Sequence, residues 1–261
     1  DTAIPHIPVT AHGLKENGYA TIATTNWLPY SWSVNNIAFA EVMHTALSYF
    51  QAGRAEAGYK LLKSSVLDGM YLGDSPGNFG QISFYDAARG ECYRDFGDPI
   101  GVASRVLIQG LFGILPDALN QQIILRPGFP DDWDKASVST PDISYRFTRK
   151  EDTDTYHITQ RFQTPLHPVL QINARKEKIR SVKVNGVPAT WQSIESTHGY
   201  PLLSIQAEGT SSTTITIEWE GASLHTLAVQ ELVIASNGKL ALQIPSGASI
   251  SQVYDPQSVL A

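Results

Sequence analysis

Apolar positions recur with a helical period in the first third of the chain. One stripe returns about every 3.6 residues and consists of Phe39, Val42, Met43, Ala46, Leu47 and Phe50. Asn35 or Asn36 could cap this helix, and Gly53 predicts its end. A second helix is predicted over about residues 54–68, with Leu62 and Val66 on its apolar face. The short link between the two helices predicts an antiparallel helical hairpin.

A third helix is predicted to begin at Asp98-Pro99, where Asp98 would cap the first backbone N–H groups and Pro99 would fit the first turn. Apart from Arg105, the segment 101–113 carries no charge, and its apolar residues cover every face of a helical wheel. Such a helix is expected to be buried on all sides. Gly113 is the predicted stop.

From about residue 136 the apolar period changes from helical to alternating, which is the pattern of half-buried strands, and Ile143, Tyr145 and Phe147 show it. Eight or so short strands are predicted, and Asn185-Gly186 and Asn237-Gly238 are type I′ hairpin signals. The predicted fold class is therefore α+β in two parts. Helices occupy residues 1–130, and an antiparallel β-sandwich with a C-terminal hairpin occupies residues 131–261.

Composition narrows the classes of function. The 261 residues are 42% hydrophobic and 17% charged, as in a globular protein, and the net charge is −6. With no run of Lys or Arg, nucleic acid is not an expected partner, and no apolar stretch is long enough for membrane insertion. One cysteine, Cys92, cannot form an internal disulfide or a cysteine-rich metal site, and we expect neither metal nor cofactor. Because the chain begins with Asp rather than Met, we expect a fragment or a processed product.

Two stretches carry candidate chemistry. Trp27, Tyr30 and Trp32 lie close together beside Asn26, and aromatic faces with nearby amides suit sugar rings. The same aromatics could instead close the end of a helical bundle as core residues.

The second stretch is the long loop over residues 72–97. Three of its acidic residues, Asp86, Glu91 and Asp95, lie among Tyr85, Arg89 and Arg94. A loop of this length usually has a function, and such acids could act over a pocket. Alternatively, they could only neutralise the two arginines.

The motifs FYDAARGE, DFGDPIGVASRVLIQGLFGI followed by PD, LRPGFPDDW and VKVNG, in this order, resemble the C-terminal end of glycoside hydrolases built on an (α/α)6 toroid. This group includes rhamnosidase-like and trehalase-like enzymes, and the similarity is greatest to a branch from gut-bacterial polysaccharide-utilisation systems. It covers roughly residues 20–225. The resemblance implies a carbohydrate substrate, an inverting mechanism with a general base in the polar loop, a second acid in the remainder of the parent chain, and a periplasmic or secreted location.

The chain departs from these relatives at one position. Some of them place the base glutamate just before an aromatic-Asp-x-x-x-Gly segment that matches Tyr85, Asp86 and Gly90, where this chain has Ser83 and Phe84. The resemblance therefore assigns the base to Asp86 or Glu91, with Asp95 next. For the substrate contacts we expect Trp27, Tyr30, Trp32, Tyr85 and Arg94. The alternative is a carbohydrate-binding or assembly module that cleaves no bond.

Overall fold

The computed structural model describes residues 6–8, 18–23, 37–72, 84–86, 91–93, 97–194 and 201–224. Residues 1–226 form one compact unit, and residues 227–261 form a second unit that lies outside the described residues, together with the predicted Asn237-Gly238 turn. The account of the fold therefore concerns the first unit.

The predicted helical hairpin is present. Helix α1 spans Phe39–Gln51 and helix α2 spans Ala55–Val66, after which a π-helical segment continues over Leu67–Leu72. All six residues of the predicted α1 stripe are buried. The predicted start of α1 is wrong, because the residue before the helix is Ala38, which lies in a short strand and donates no side-chain cap. Gly53 has φ +74° and ends the hairpin turn as expected.

The third helix differs from its prediction. Helix α3 spans Asp98–Arg105 and passes into a π-helical segment, Val106–Leu111, in which Phe112 N–H donates to Leu107 O over 3.0 Å. Val106, Gly110 and Leu111 of the second half are buried, whereas Pro99 is the buried residue of the first half. Ile100 is 55% exposed and Leu107 is 41% exposed, so the expectation of burial on all sides is wrong. One apolar face of this helix has no covering element within the described part of the chain.

Short strands precede the sandwich. β1 (His6–Pro8) pairs with β2 (Ala20–Ile22), and β3 (Ile37–Ala38), β4 (Phe84–Asp86) and β5 (Glu91–Tyr93) form a separate antiparallel sheet in that order. The strands that follow are β6 (Ile114–Asp117), β7 (Gln122–Leu125), β8 (Lys135–Ser139), β9 (Ile143–Lys150), β10 (Thr153–Gln160), β11 (His167–Asn173), β12 (Lys176–Val184), β13 (Val187–Pro188), β14 (Gln192–Ile194), β15 (Leu202–Gln206) and β16 (Ser212–Ser223).

These eleven strands form two larger sheets, as a sandwich requires. One has the order β13-β12-β16-β10-β9-β8 and the other the order β14-β15-β11-β7-β6. The sheets are mostly antiparallel, but β7 and β11 run parallel, with Gln122 paired to His167. The sequence pattern did not predict this parallel pair, nor strand β6. The fold is α+β as expected, whereas the described helices are too few to test the toroid.

The alternating pattern fixes which residues form the core. Ile143, Tyr145 and Phe147 of β9 point inward, as predicted, and each is at most 4% exposed. The predicted type I′ turn is confirmed, since Asn185 and Gly186 both have positive φ, 51° and 80°. Most of the buried apolar residues of the helices and of both sheets belong to one continuous hydrophobic cluster. The predicted domain boundary near residue 130 stays a prediction.

Candidate functional site

Two of the predicted catalytic acids occupy opposed register positions of two short antiparallel strands. In the β4–β5 pair, Asp86 is the register partner of Glu91, and Tyr85 is the partner of Cys92. Tyr85 also pairs with Ile37 of β3, which leads directly into α1. The fold therefore brings Asp86 and Glu91 together and ties them to the start of the helical hairpin.

The start of α3 was predicted to be capped by Asp98, and this is wrong. The N-cap residue is Gly97, no side chain caps the helix, and Asp98 is the first helical residue. Asp98 is exposed. At this position its negative charge still complements the positive end of the helix dipole, although it satisfies no backbone donor.

The remaining predicted site residues lie outside the described residues. These are Trp27, Tyr30, Trp32, Arg94 and Asp95, together with Ser83 and Arg89. Their assigned roles stay predictions. The hairpin that carries Asp86 and Glu91 is therefore the part of the candidate site that the structure places.

The glycines of the motifs GLFGI and LRPGFP have clear packing roles. A Cβ at Gly110 would lie 2.6 Å from Phe50 Cδ2, one at Gly58 would lie 3.0 Å from Phe50 Cγ, and one at Gly128 would overlap Phe50 Cδ1. The Phe50 ring thus fits into a socket lined by Gly58, Gly110 and Gly128, three residues without side chains. We call these three residues the glycine socket.

A second close contact joins the end of the π-helical segment to the turn before the sandwich. Gly113 has φ +64°, and a Cβ there would overlap the backbone of Arg126. Arg126 N–H donates to Gly113 O over 2.8 Å, and Gly128 N–H donates to Leu111 O over 3.0 Å. These contacts hold the helical end against the turn. In this chain, the glycines of both motifs are therefore explained by packing and backbone geometry.

Aromatic rings continue from this turn into the sandwich. Phe129 stacks on Phe147 at 5.2 Å and on Trp133 at 6.0 Å, and Trp133 meets the edge of Tyr59 at 5.0 Å. Because Tyr59 belongs to α2, Trp133 links the helical hairpin to the sandwich.

A cavity of about 740 Å³ opens beside Trp133, lined also by Tyr19, Tyr59, Lys60 and Lys63. The Lys63 ammonium lies 5.0 Å from the centre of the Tyr19 ring. A hydrogen bond to Tyr19 raises the pKa of Lys63, and burial opposes that rise. Glu56 Oε1 accepts from Asp131 N–H over 2.8 Å. Several polar groups of this cavity therefore already have protein partners.

The strongest charge cluster lies inside the sandwich. The Asp154 side chain is 2% exposed and accepts from Arg149 Nε over 2.8 Å and from Trp219 Nε1 over 3.0 Å. Arg175 Nε lies 3.5 Å from the same carboxylate. Burial opposes the charge of Arg149, but its hydrogen bond to Asp154 raises its pKa overall. Sequence analysis missed this cluster, although Asp154 occupies an inward position of an alternating strand, which was the available signal.

No group of three or more potential metal ligands occurs among the residues that the structure describes. Over the same residues, no helix has the length and apolarity that a membrane span requires.

Comparisons with known proteins give few similarities. No family model matches the chain, and no curated protein matches it. Among solved structures, an alpha-L-rhamnosidase from Dictyoglumus thermophilum is similar over 50% of this chain and 16% of that chain, with 16% identity and a TM-score of 0.35. An alpha-L-rhamnosidase from Streptomyces avermitilis, complexed with L-rhamnose, is similar over 62% of this chain and 15% of that chain. The identity is 15% and the TM-score 0.34.

A GH127 beta-L-arabinofuranosidase from Geobacillus stearothermophilus T6 is similar over 69% of this chain and 30% of that chain. The identity is 11% and the TM-score 0.30. The chain thus spans less than a third of the length of each of these three structures.

Proposed function

We propose that this chain forms the C-terminal part of a carbohydrate-active enzyme, an inverting glycoside hydrolase, and that Asp86 or Glu91 is its general base. The observation that carries the proposal is the register pairing of Asp86 with Glu91. The motif resemblance of the sequence points to the same loop. This pairing puts the two candidate acids at neighbouring backbone positions of one hairpin, so that either of them can serve the same site.

The chemistry needs a second acid on another part of the protein. In an inverting mechanism a carboxylic acid protonates the leaving oxygen, while a carboxylate about 6.5–9.5 Å away deprotonates water. Asp86 and Glu91 are register partners on one hairpin, whereas the two roles act from opposite sides of the scissile bond. The proton donor therefore comes from the remainder of the parent chain, and one of the hairpin acids activates the water.

The exposed side of α3 supports a role for the remainder of the parent chain. Ile100 and Leu107 are seven residues apart, so they lie on one helical face, and both are more than 40% exposed. In the proposed toroid, further helices cover this face. The sugar would contact Trp27, Tyr30, Trp32, Tyr85 and Arg94, and we place the parent in the periplasm or outside the cell.

The test compares the parent protein with residues 1–261 alone on a panel of plant and host oligosaccharides. We expect turnover by the parent and none by this chain, because it lacks the proton donor. Proton NMR of the first product should show the inverted anomer. A retained anomer would contradict the mechanism. Binding of a glycan by the parent without any turnover would favour the alternative, a carbohydrate-binding or assembly module.

A further inference from the structure

A second cleft lies at one end of the sandwich. It has a volume of about 590 Å³, within the range of about 300–1,000 Å³ that small-molecule sites occupy. One wall comes from the starts of β7 and β11 and the end of β15, and the other from the end of β12 and from β13. The cleft is therefore built by regular strands of both sheets.

The first wall is rich in amide groups. Gln122 and His167 are register partners in the parallel pair, and Gln206 lies at the end of the neighbouring strand. Across the described ranges, the side-chain amides of Gln122 and Gln206 form no hydrogen bond with the protein. Each amide can donate and accept at once. This wall therefore offers paired donors and acceptors to a ligand.

The His167 ring adds a hydrogen-bond donor, and one contact fixes which ring nitrogen carries the proton. Gly209 N–H donates to His167 Nδ1 over 3.0 Å, so in the neutral ring the proton is on Nε2. Glu208 Oε2 lies 3.7 Å from the same Nδ1. That approach is not an ion pair, because a nitrogen that accepts from Gly209 carries no proton. The Nε2–H group has no protein partner among the residues that are described.

The second wall is aliphatic. It is formed by Val184, Val187 and Pro188, and Val187 is 64% exposed. No Lys or Arg lines the cleft, and Glu208 is its acidic residue. An anionic ligand would therefore find no cation, and the protein as a whole carries a net charge of −6. An uncharged ligand with one apolar face and many hydroxyl groups matches both walls.

We propose that this cleft binds a neutral saccharide, with hydroxyl groups on Gln122, Gln206 and His167 and a C–H face against Val187 and Pro188. A peptide added as a strand is disfavoured. β13 is the edge of its sheet, but Pro188 has no N–H, and the next residue, Ala189, already donates to Val182 O over 2.9 Å. The site is separate from the β4–β5 hairpin and does not rest on the proposed hydrolysis.

The test uses NMR on isotope-labelled residues 1–261 with neutral gluco-, xylo- and manno-oligosaccharides, an oligogalacturonide and an extended peptide as probes. We expect saturable shifts of the side-chain NH₂ signals of Gln122 and Gln206 with at least one neutral sugar. The oligogalacturonide should bind more weakly. Gln122→Ala and Gln206→Ala should each lower the affinity about three- to tenfold, as loss of one hydrogen bond does.

Gln51→Ala is the matched control, because Gln51 is an exposed glutamine at the end of α1, far from the cleft in sequence. It should leave the affinity unchanged. Val187→Asp should abolish binding without unfolding the chain, since the side chain is mostly exposed. Preference for the anionic sugar or the peptide would overturn the proposal, and so would no binding at millimolar sugar.

Discussion

The glycine socket around Phe50 makes a quantitative prediction about Gly110→Ala. The added Cβ would lie 2.6 Å from Phe50 Cδ2, about 1 Å inside the normal separation of two carbon atoms. The ring cannot shift away, because Gly58 and Gly128 leave no free space on its other edges. Overpacking of this kind costs about 1–3 kcal/mol. Alanine also favours a helix over glycine by up to about 1 kcal/mol. We therefore expect Gly110→Ala to lower the free energy of unfolding by about 1–2 kcal/mol.

Gly101→Ala is the control for this change. Gly101 lies in α3, is exposed, and a Cβ there would meet nothing within 4 Å. We therefore expect Gly101→Ala to stabilise the chain by up to about 1 kcal/mol. Denaturant unfolding would measure both variants, and thermal unfolding should separate them by several degrees.

A double variant sharpens the test. In a Phe50→Leu background the ring is gone, so Gly110→Ala should cost at least about 0.5 kcal/mol less than it does alone. The reasoning would be refuted if Gly110→Ala were as harmless as Gly101→Ala. It would also be refuted if the effects of Gly110→Ala and Phe50→Leu were additive.

Three further predictions concern the sandwich and its junction with the helices. Asp154→Ala should lower the free energy of unfolding by about 3–5 kcal/mol, because it leaves two arginines near the core without their carboxylate. Asp152→Ala, where the carboxylate is 55% exposed in its ion pair with Lys176, should leave the unfolding curve unchanged. Tyr145→Phe should be neutral or stabilise the chain by about 1 kcal/mol, since the buried hydroxyl has no hydrogen-bond partner among the residues that the structure describes. Burial raises the pKa of Tyr145. The stability of the chain should therefore fall as the pH rises above about 10, where the tyrosine of the unfolded chain ionises. In Tyr145→Phe this fall should be less steep. Trp133→Ala should cost about 3 kcal/mol in chemical unfolding, and a loss below about 0.5 kcal/mol would show that Trp133 does not join α2 to the sandwich.

Periodicity predicted the elements whose packing is one-sided. The α1 stripe and the inward residues of β9 are buried as expected, because a single face of each element meets the core. The same reasoning failed for α3. An apolar wheel indicates what a helix can bury, but only the neighbouring elements decide what is buried, and Ile100 and Leu107 have none over them in the described chain.

Features that depend on tertiary contacts were beyond the sequence pattern. The parallel pairing of Gln122 with His167 joins strands that are 45 residues apart (167 − 122), and no local signal encodes it. Asp98 resembled a cap because the next residue is proline, yet the helix begins one residue earlier than that reading requires. For the site, the sequence indicated Asp86 and Glu91 as candidates, and their opposed register emerges only from the folded hairpin.

The central claim is that an acid of the β4–β5 hairpin is the general base of the parent enzyme. The most direct test is single-turnover kinetics of the parent with Asp86→Asn and with Glu91→Gln, which keep the shape of the side chain and remove the proton acceptor. The account predicts that one of them lowers the rate at least about 10²-fold while the unfolding curve stays the same. Asp98→Asn, at an exposed residue that caps no helix, should be fully active. Full activity of both hairpin variants, or a folded but inactive Asp98→Asn, would contradict the assignment.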